Sequence, residues 1–184
     1  MPLRAPPRLA LLFATGMALF FSGCSSPLVL NPYPGTATVQ TSRTLAVTVE
    51  PGEMYGRHDN LYFDVEDQYA VARHLEKELA RLGIARAASA GEPEIPLRLA
   101  FVRTRHLYEF NEYILDVELY WGAGASSLKK RYHIRSAEGD SLLTQMLTDP
   151  SEGKQKAGDK LMRQMIPDIE AWLRERSTPP QLQP

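Results

Sequence analysis

The chain predicts an α+β domain, a mainly antiparallel sheet of about four strands with two helices packed on one face. Two periodicities and one order carry that expectation. Apolar residues alternate with polar ones through Thr44–Glu50, Ile95–Phe101 and Tyr113–Trp121, the period of a half-buried strand. They recur at threes and fours from Val65 to Leu82 and again from Leu161 to Leu173, the period of a helix with one buried face. The order strand, helix, strand, strand, strand, helix lets both helices cover the same side of the sheet.

The first strand, Thr44–Glu50, carries Leu45, Val47 and Val49 on one side and stops at Pro51-Gly52. A loop from Glu53 to about Asp64 follows, with Met54, Tyr55, His58, Asp59, Asn60, Tyr62 and Phe63. Its aromatic residues either form a contact surface or fold back onto the core. Asp64 can cap the helix from Val65, Asp67 sits in the first turn, and Gly83 stands where a left-handed residue ends a helix. Val65, Tyr69, Ala72, Leu75, Leu79 and Leu82 form the predicted apolar stripe, with Arg73, Glu76, Lys77 and Arg81 opposite.

From Ile95 to about Tyr108 a long strand begins with Ile95, Leu97, Leu99 and Phe101 on one side. Continued parity would turn Arg103 and Arg105 into the core, so either a bulge intervenes or the strand leaves the sheet there. Residues Glu109 to Glu112 make a turn, and Tyr113–Trp121 returns with Asp116 and Glu118 outward, in reach of cross-strand partners. Gly122 to Ala125 is a hairpin connection to a third meander strand at about Lys129–Ser136. Ser141–Thr148 suits a short helix or a further strand. Asp149-Pro150-Ser151-Glu152 starts the last helix, which Pro167 should kink or divide near Ile166. A frayed polar tail, residues 177–184, ends the chain.

Ahead of this domain, 44–176, lie two segments of different character. Arg4 and Arg8 precede an apolar run from Leu9 to Phe21, 13 residues, against the ~20 that span a bilayer; residues 1–23 therefore read as a secretory signal peptide. The run ends in Phe21-Ser22-Gly23-Cys24, which resembles the lipobox of bacterial lipoproteins, with Phe21 where the family most often has Leu, Val or Ile. In that family the cysteine is joined to diacylglycerol, becomes the new N-terminus after cleavage, and is usually N-acylated with a further chain such as palmitate. The resemblance implies lipidation at Cys24. Cys24 is the one cysteine of the chain, so an internal disulfide is excluded. Residues 24–43 hold Pro27, Pro32, Pro34 and Gly35 and then a Thr/Ser/Gln-rich stretch, the composition of an extended lipidated tether.

Cleavage before Cys24 leaves 161 residues with 19 basic and 22 acidic side chains, a formal charge of −3. That balance excludes nucleic acid as a partner, since no concentrated basic field is present. Several acyl chains at about 0.8 kcal/mol per buried methylene would make membrane attachment effectively permanent. Ser25 and Ser26 follow the cysteine where an Asp would, by the same resemblance, retain the product in the inner membrane. The expected place is the periplasmic face of the outer membrane.

Chemistry-bearing patterns are sparse. His74 and Glu78 share a helix face at a spacing that could hold a metal, but a solvated ion pair explains them without one, and His58, His106 and His133 are scattered. His58, Asp59 and His74 are the residues that any hydrolytic reading would have to use. The Arg103-Thr104-Arg105-His106 cluster could meet an acidic partner or a lipid headgroup. Neither a nucleophile elbow, a phosphate-binding glycine loop nor a cofactor fingerprint occurs.

From Thr44 to Arg176 the layout resembles that of small envelope lipoproteins and of the amino-terminal domain of TolB, including the Pel export lipoprotein, the lipoprotein of lipopolysaccharide transport and YajG-type lipoproteins. No motif is shared, so Cys24 is the one functional residue carried over. The expectation is a non-enzymatic accessory or scaffold subunit of an envelope assembly or transport complex, with envelope protein partners, no cofactor and no metal, and open to self-association. The alternative is a periplasmic binding module for a small lipid or glycan.

Overall fold

A computed structural model of the chain describes residues 27–38, 44–55, 62–87, 94–107, 109, 111–122 and 128–177. The signal peptide, Cys24, the His58-Asp59-Asn60 stretch, Tyr108, Phe110, the hairpin connection at 123–127 and the tail from 178 lie outside the described residues. The elements are β1 (Thr44–Glu50), β2 (Glu53–Tyr55), α1 (Val65–Arg81), β3 (Arg86–Ala87), β4 (Glu94–Leu107), β5 (Glu112–Trp121), β6 (Leu128–Arg135), α2 (Leu142–Leu147) and α3 (Pro150–Ser177).

The expected α+β sandwich is what forms. The sheet runs β3-β1-β4-β5-β6, antiparallel through the meander β4-β5-β6 and parallel where β1 joins β3 and β4. Two short strands, β2 and β3, enlarge the expected set. β2 continues β1 along β4 in the same register, Glu50 opposite Ala100 and Glu53 opposite Arg103, so the two form one line beside β4, interrupted at Pro51-Gly52.

Parity along β4 is resolved by a bulge. Up to Phe101, which pairs with Val117, the odd-numbered residues face inward; after the shift between Phe101 and Arg103 the even-numbered ones do, and Thr104 and His106 are buried. Val102 is the extra residue. The bulge turns Arg103 and Arg105 out of the core, where their guanidinium groups would have no acceptors. Gly52 lies against the bulge so closely that a Cβ there would sit 1.3 Å from the Phe101 carbonyl oxygen.

The inner sheet face presents Leu97, Leu99, Phe101, Tyr113, Leu115, Val117, Leu119 and Trp121. Against it α1 packs Val71, Ala72, Leu75 and Leu79, and α3 packs Leu161, Met165, Ile166, Ile169 and Leu173, with Trp172 and Trp121 rings 4.4 Å apart. Tyr69, expected in the apolar stripe of α1, is exposed, and Gln68 is buried in its stead, donating to the Phe63 carbonyl and accepting from the Gly52 N–H. Phe63 is fully buried and stacks on Phe101, so this part of the aromatic loop folds back onto the core. Asp64 and Asp67 form a reciprocal capping box at the start of α1, and Gly83, φ 70°, follows its end.

Pro167 does not divide α3, which is continuous from Pro150 to Ser177. A proline removes the hydrogen bond to the carbonyl four residues back, here Arg163, and both residues lie on the exposed face where water replaces it. Ser141–Thr148 resolves to the helix α2, capped by the Ser141 hydroxyl. Substituting Gly52→Ala should destabilise the domain by about 3 kcal/mol, the upper end for overpacking, because the nearest atoms are backbone and cannot rotate away. Urea denaturation checks this, and a loss below about 0.5 kcal/mol would show that the β1–β2 break is not tight.

Candidate functional site

The segment read as a tether does not stand clear of the domain. Residues 27–38 carry no helix or strand; they lie extended along the outside of α1 and α3, bonded to both. Asn-Pro and Tyr-Pro pairs explain the extension, since proline restricts itself and the residue before it. An extended chain leaves its N–H groups without partners, and here carboxylates supply them.

Asn31 donates its backbone N–H to Asp159 Oδ1 at 2.9 Å and its side-chain amide to Oδ2 at 2.6 Å. Its carbonyl accepts from His74 Nε2 at 3.0 Å. Tyr33 N–H donates to Glu78 Oε2 at 2.9 Å, while the Tyr33 carbonyl accepts from Arg81 at 2.9 Å. Farther on, Thr38 gives both its N–H and its hydroxyl to Glu170 Oε1, and Arg174 reaches the same hydroxyl. Leu30, 8% exposed, fills the space left by Gly158, where a Cβ would meet its methyl at 2.4 Å. Together these contacts form a clamp.

This arrangement corrects the reading of His74 and Glu78. The Glu78 side chain is 2% exposed and ion-paired to Arg81 at 2.7 Å. Burial opposes its ionisation, but the Arg81 guanidinium and the Tyr33 N–H outweigh it and hold the carboxyl below its usual range. His74 serves the strap carbonyl. Among the described residues no group of three or more His, Cys, Asp or Glu side chains is placed to hold a metal ion. His106 is buried and stacks on Tyr113 at 4.5 Å, and His133 pairs with Asp116 at 2.7 Å.

At one end of the helical layer Lys154 of α3 bonds Asp67 of α1 at 2.7 Å, both side chains buried. Burial pushes the Asp67 carboxyl up, and the Lys154 bond offsets that only in part. Residue 67 of α1 thus meets residue 154 of α3 directly, and residue 74 meets residue 159 through Asn31 of the strap, in step. The two helices run in the same direction, and the strap runs with them.

The sheet's outer face is a charge ladder. β5 contributes Glu112, Asp116 and Glu118, paired with Arg135, His133 and Lys129 of β6 at 2.8, 2.7 and 2.9 Å. The cations of β4 bond elsewhere: Arg98 bonds Glu50 of β1 and lies over the Tyr120 ring, and Arg103 lies over Tyr55. The predicted cluster is split by the bulge and the pleat, with Arg103 and Arg105 on this face and Thr104 and His106 in the core. Carboxylates therefore occupy the middle strand, and cations border it on both sides. No helix among the described residues is long and apolar enough to cross a membrane.

No family model matches the chain, and no curated protein does. Among solved structures it is similar to a Xanthomonas campestris protein described as DUF330, at 9% identity over 82% of this chain and 96% of that one, with a TM-score of 0.49. Another, described as an uncharacterized protein, shares 13% identity over 74% of this chain and 97% of that one, with a TM-score of 0.38.

The strap was missed in the sequence because its acceptors lie 45 to 132 positions away. Its composition reads the same docked or free. Glu78→Gln should cost about 1.5–3 kcal/mol, the range for hydrogen bonds to charged groups. A lowered folded pKa gives stability that is complete above the unfolded value, about 4.3, and lost as pH falls through the folded one. The difference between wild type and Glu78→Gln in urea midpoint should therefore be constant near neutrality and close in acid. A difference independent of pH would remove Glu78 as the ionised member of the clamp.

Proposed function

We propose that the chain is a non-enzymatic lipoprotein, held through acylated Cys24 at the periplasmic face of the outer membrane, that presents its outer sheet face to a protein partner in an envelope complex. The observation that carries this reading is the clamp. The segment that follows the lipobox-like Phe21-Ser22-Gly23-Cys24 is built into the domain by two helices, so a lipid on Cys24 would hold the whole domain and not a free leash.

The helices and the strap cover one side of the sheet, which leaves the other side for recognition. That side is polar, with Arg98, Arg131 and Arg135 exposed along it and carboxylates held beneath them. A surface of this kind favours a protein partner of complementary charge, through specificity and encounter rate more than through buried apolar area. β6 is the edge of the sheet among the described residues, and its lysines and arginines suit an edge that must avoid indiscriminate pairing.

Cys24→Ser should abolish palmitate incorporation and leave uncleaved precursor, read by metabolic labelling and by size; label on that variant would refute lipidation at Cys24. A photocrosslinker at Arg131 in cells should give one discrete adduct. Arg98→Glu together with Arg103→Glu should weaken that adduct several-fold while costing no more than about 1–2 kcal/mol of unfolding free energy in urea, since the Arg98–Glu50 pair and the Arg103–Tyr55 contact are exposed. An adduct indifferent to both reversals would remove the outer face as the partner surface.

A further inference from the structure

We infer that α2 is a second membrane contact, its apolar face entering the lipid leaflet that carries the acyl anchor. The inference rests on the lipid-anchor reading and adds an orientation to it. α2 is amphipathic in the unusual sense. Leu142, Leu143, Met146 and Leu147 share one face and are 68%, 69%, 64% and 77% exposed, while Gln145 turns inward and donates to the carbonyls of Ala137 and Asp140. Their nearest rival in exposure is Val29 at 67%, and every other exposed large apolar side chain among the described residues is at 46% or below.

These five residues belong to one end of the molecule. The strap meets α3 at Gly158 through Leu30, at Asp159 through Asn31, and at Glu170 through Thr38. It follows α3 from the helix's N-terminal part toward its C-terminal part, so followed backward it leads to the N-terminus of α3. α2 ends two residues before that point, joined through Thr148 and Asp149. From Gly158 back to Pro150 the helix covers about 12 Å. From Leu30 back to Cys24 six residues can span about 20 Å, and from Pro27 three residues span at most about 11 Å. An anchor on Cys24 therefore has the reach to enter the bilayer at the end of the molecule where α2 exposes its leucines, and Val29 is exposed on the path that leads there.

A bilayer fits this face better than a protein does, because the anchor already holds it there. From Ser141 to Thr148 no residue is charged. The surrounding groups are Glu138, Asp140, Asp149 and Glu152, with Lys156 taken by Asp140 and Glu152 and Lys160 bonded to the carbonyls of Arg135 and Glu138. Attraction to anionic lipid is thus not the driving term, and the contact should be apolar and insensitive to salt.

Leu143→Cys tests this in the full chain, since acylation of Cys24 leaves the new thiol as the one free for labelling. The substitution removes solvent-facing atoms, so the fold is not at risk. The processed protein, its palmitate content measured, is reconstituted in phosphatidylcholine–phosphatidylethanolamine vesicles and labelled with an environment-sensitive fluorophore; Glu175→Cys, exposed near the other end of α3, is the reference. The label at 143 should be quenched by brominated lipid and be several-fold less accessible to iodide than the label at 175, at low and at high salt. Equal access to iodide at both sites in palmitoylated protein would overturn the inference and leave the lipid anchor standing. Protection from iodide without quenching by lipid would place a protein, a second copy included, on α2 and would also overturn it. Absence of palmitate on Cys24 would remove the anchor reading, and this inference with it.

Discussion

Three carboxylates on two helices, Glu78, Asp159 and Glu170, take the N–H groups of an extended segment, and the arrangement of the molecule depends on that substitution. A strand satisfies its backbone by pairing; this segment has no strand beside it. Charge-assisted hydrogen bonds are about twice as strong as neutral ones, which suits a contact formed on a surface that water can reach. Once the segment is fixed, so is the place at which the preceding chain leaves the domain.

The same clamp explains burial that a helix pattern does not. Glu78 lies among the buried residues of α1 together with Leu75 and Leu79, yet on an isolated helix it would be a solvated acid three residues from Arg81. Its partner outside the helix is residue 33, whose N–H it accepts. The ion pair consequently belongs to tertiary structure, and removing one partner would leave a buried charge without its counter-ion. Asp67 is a parallel case at the other end of α1, capping that helix while receiving Lys154 from α3.

How legible each element is follows from the range of the forces that make it. α1, α3, β1 and the meander strands bury one face each, so their periods stand in the sequence, and the break in parity after Phe101 already required a bulge or an exit. β2 and β3, three and two residues long, are shorter than any period. Pro167 looks disruptive in the sequence, whereas its outward position makes the lost bond one that water can replace. Among the candidate site residues the lipobox resemblance of residues 21–24 is a linear pattern, open to reading in the sequence alone, and it lies outside the described residues. The clamp is not open to such reading, since Pro32, Pro34 and Gly35 state a lack of regular structure and are silent about what the extended chain rests on.

α2 shows why an exposed apolar surface can be built and not merely tolerated. Leaving four large apolar side chains in water forgoes roughly 25 cal/mol for each Å² that burial would have removed. A loop free to rearrange would fold them back. Here the polar side is tied down: the Ser141 hydroxyl caps the helix, Gln145 bridges to two carbonyls, and Asn111 of the β4–β5 turn donates to the Thr148 carbonyl at 2.9 Å. Those bonds leave the apolar face one direction to point, away from the core. The hydrogen bonding that fixes α2 is therefore also what keeps its leucines available, and the clamp holds the strap so that, followed backward, it runs toward the N-terminal part of α3, beside α2 in the chain.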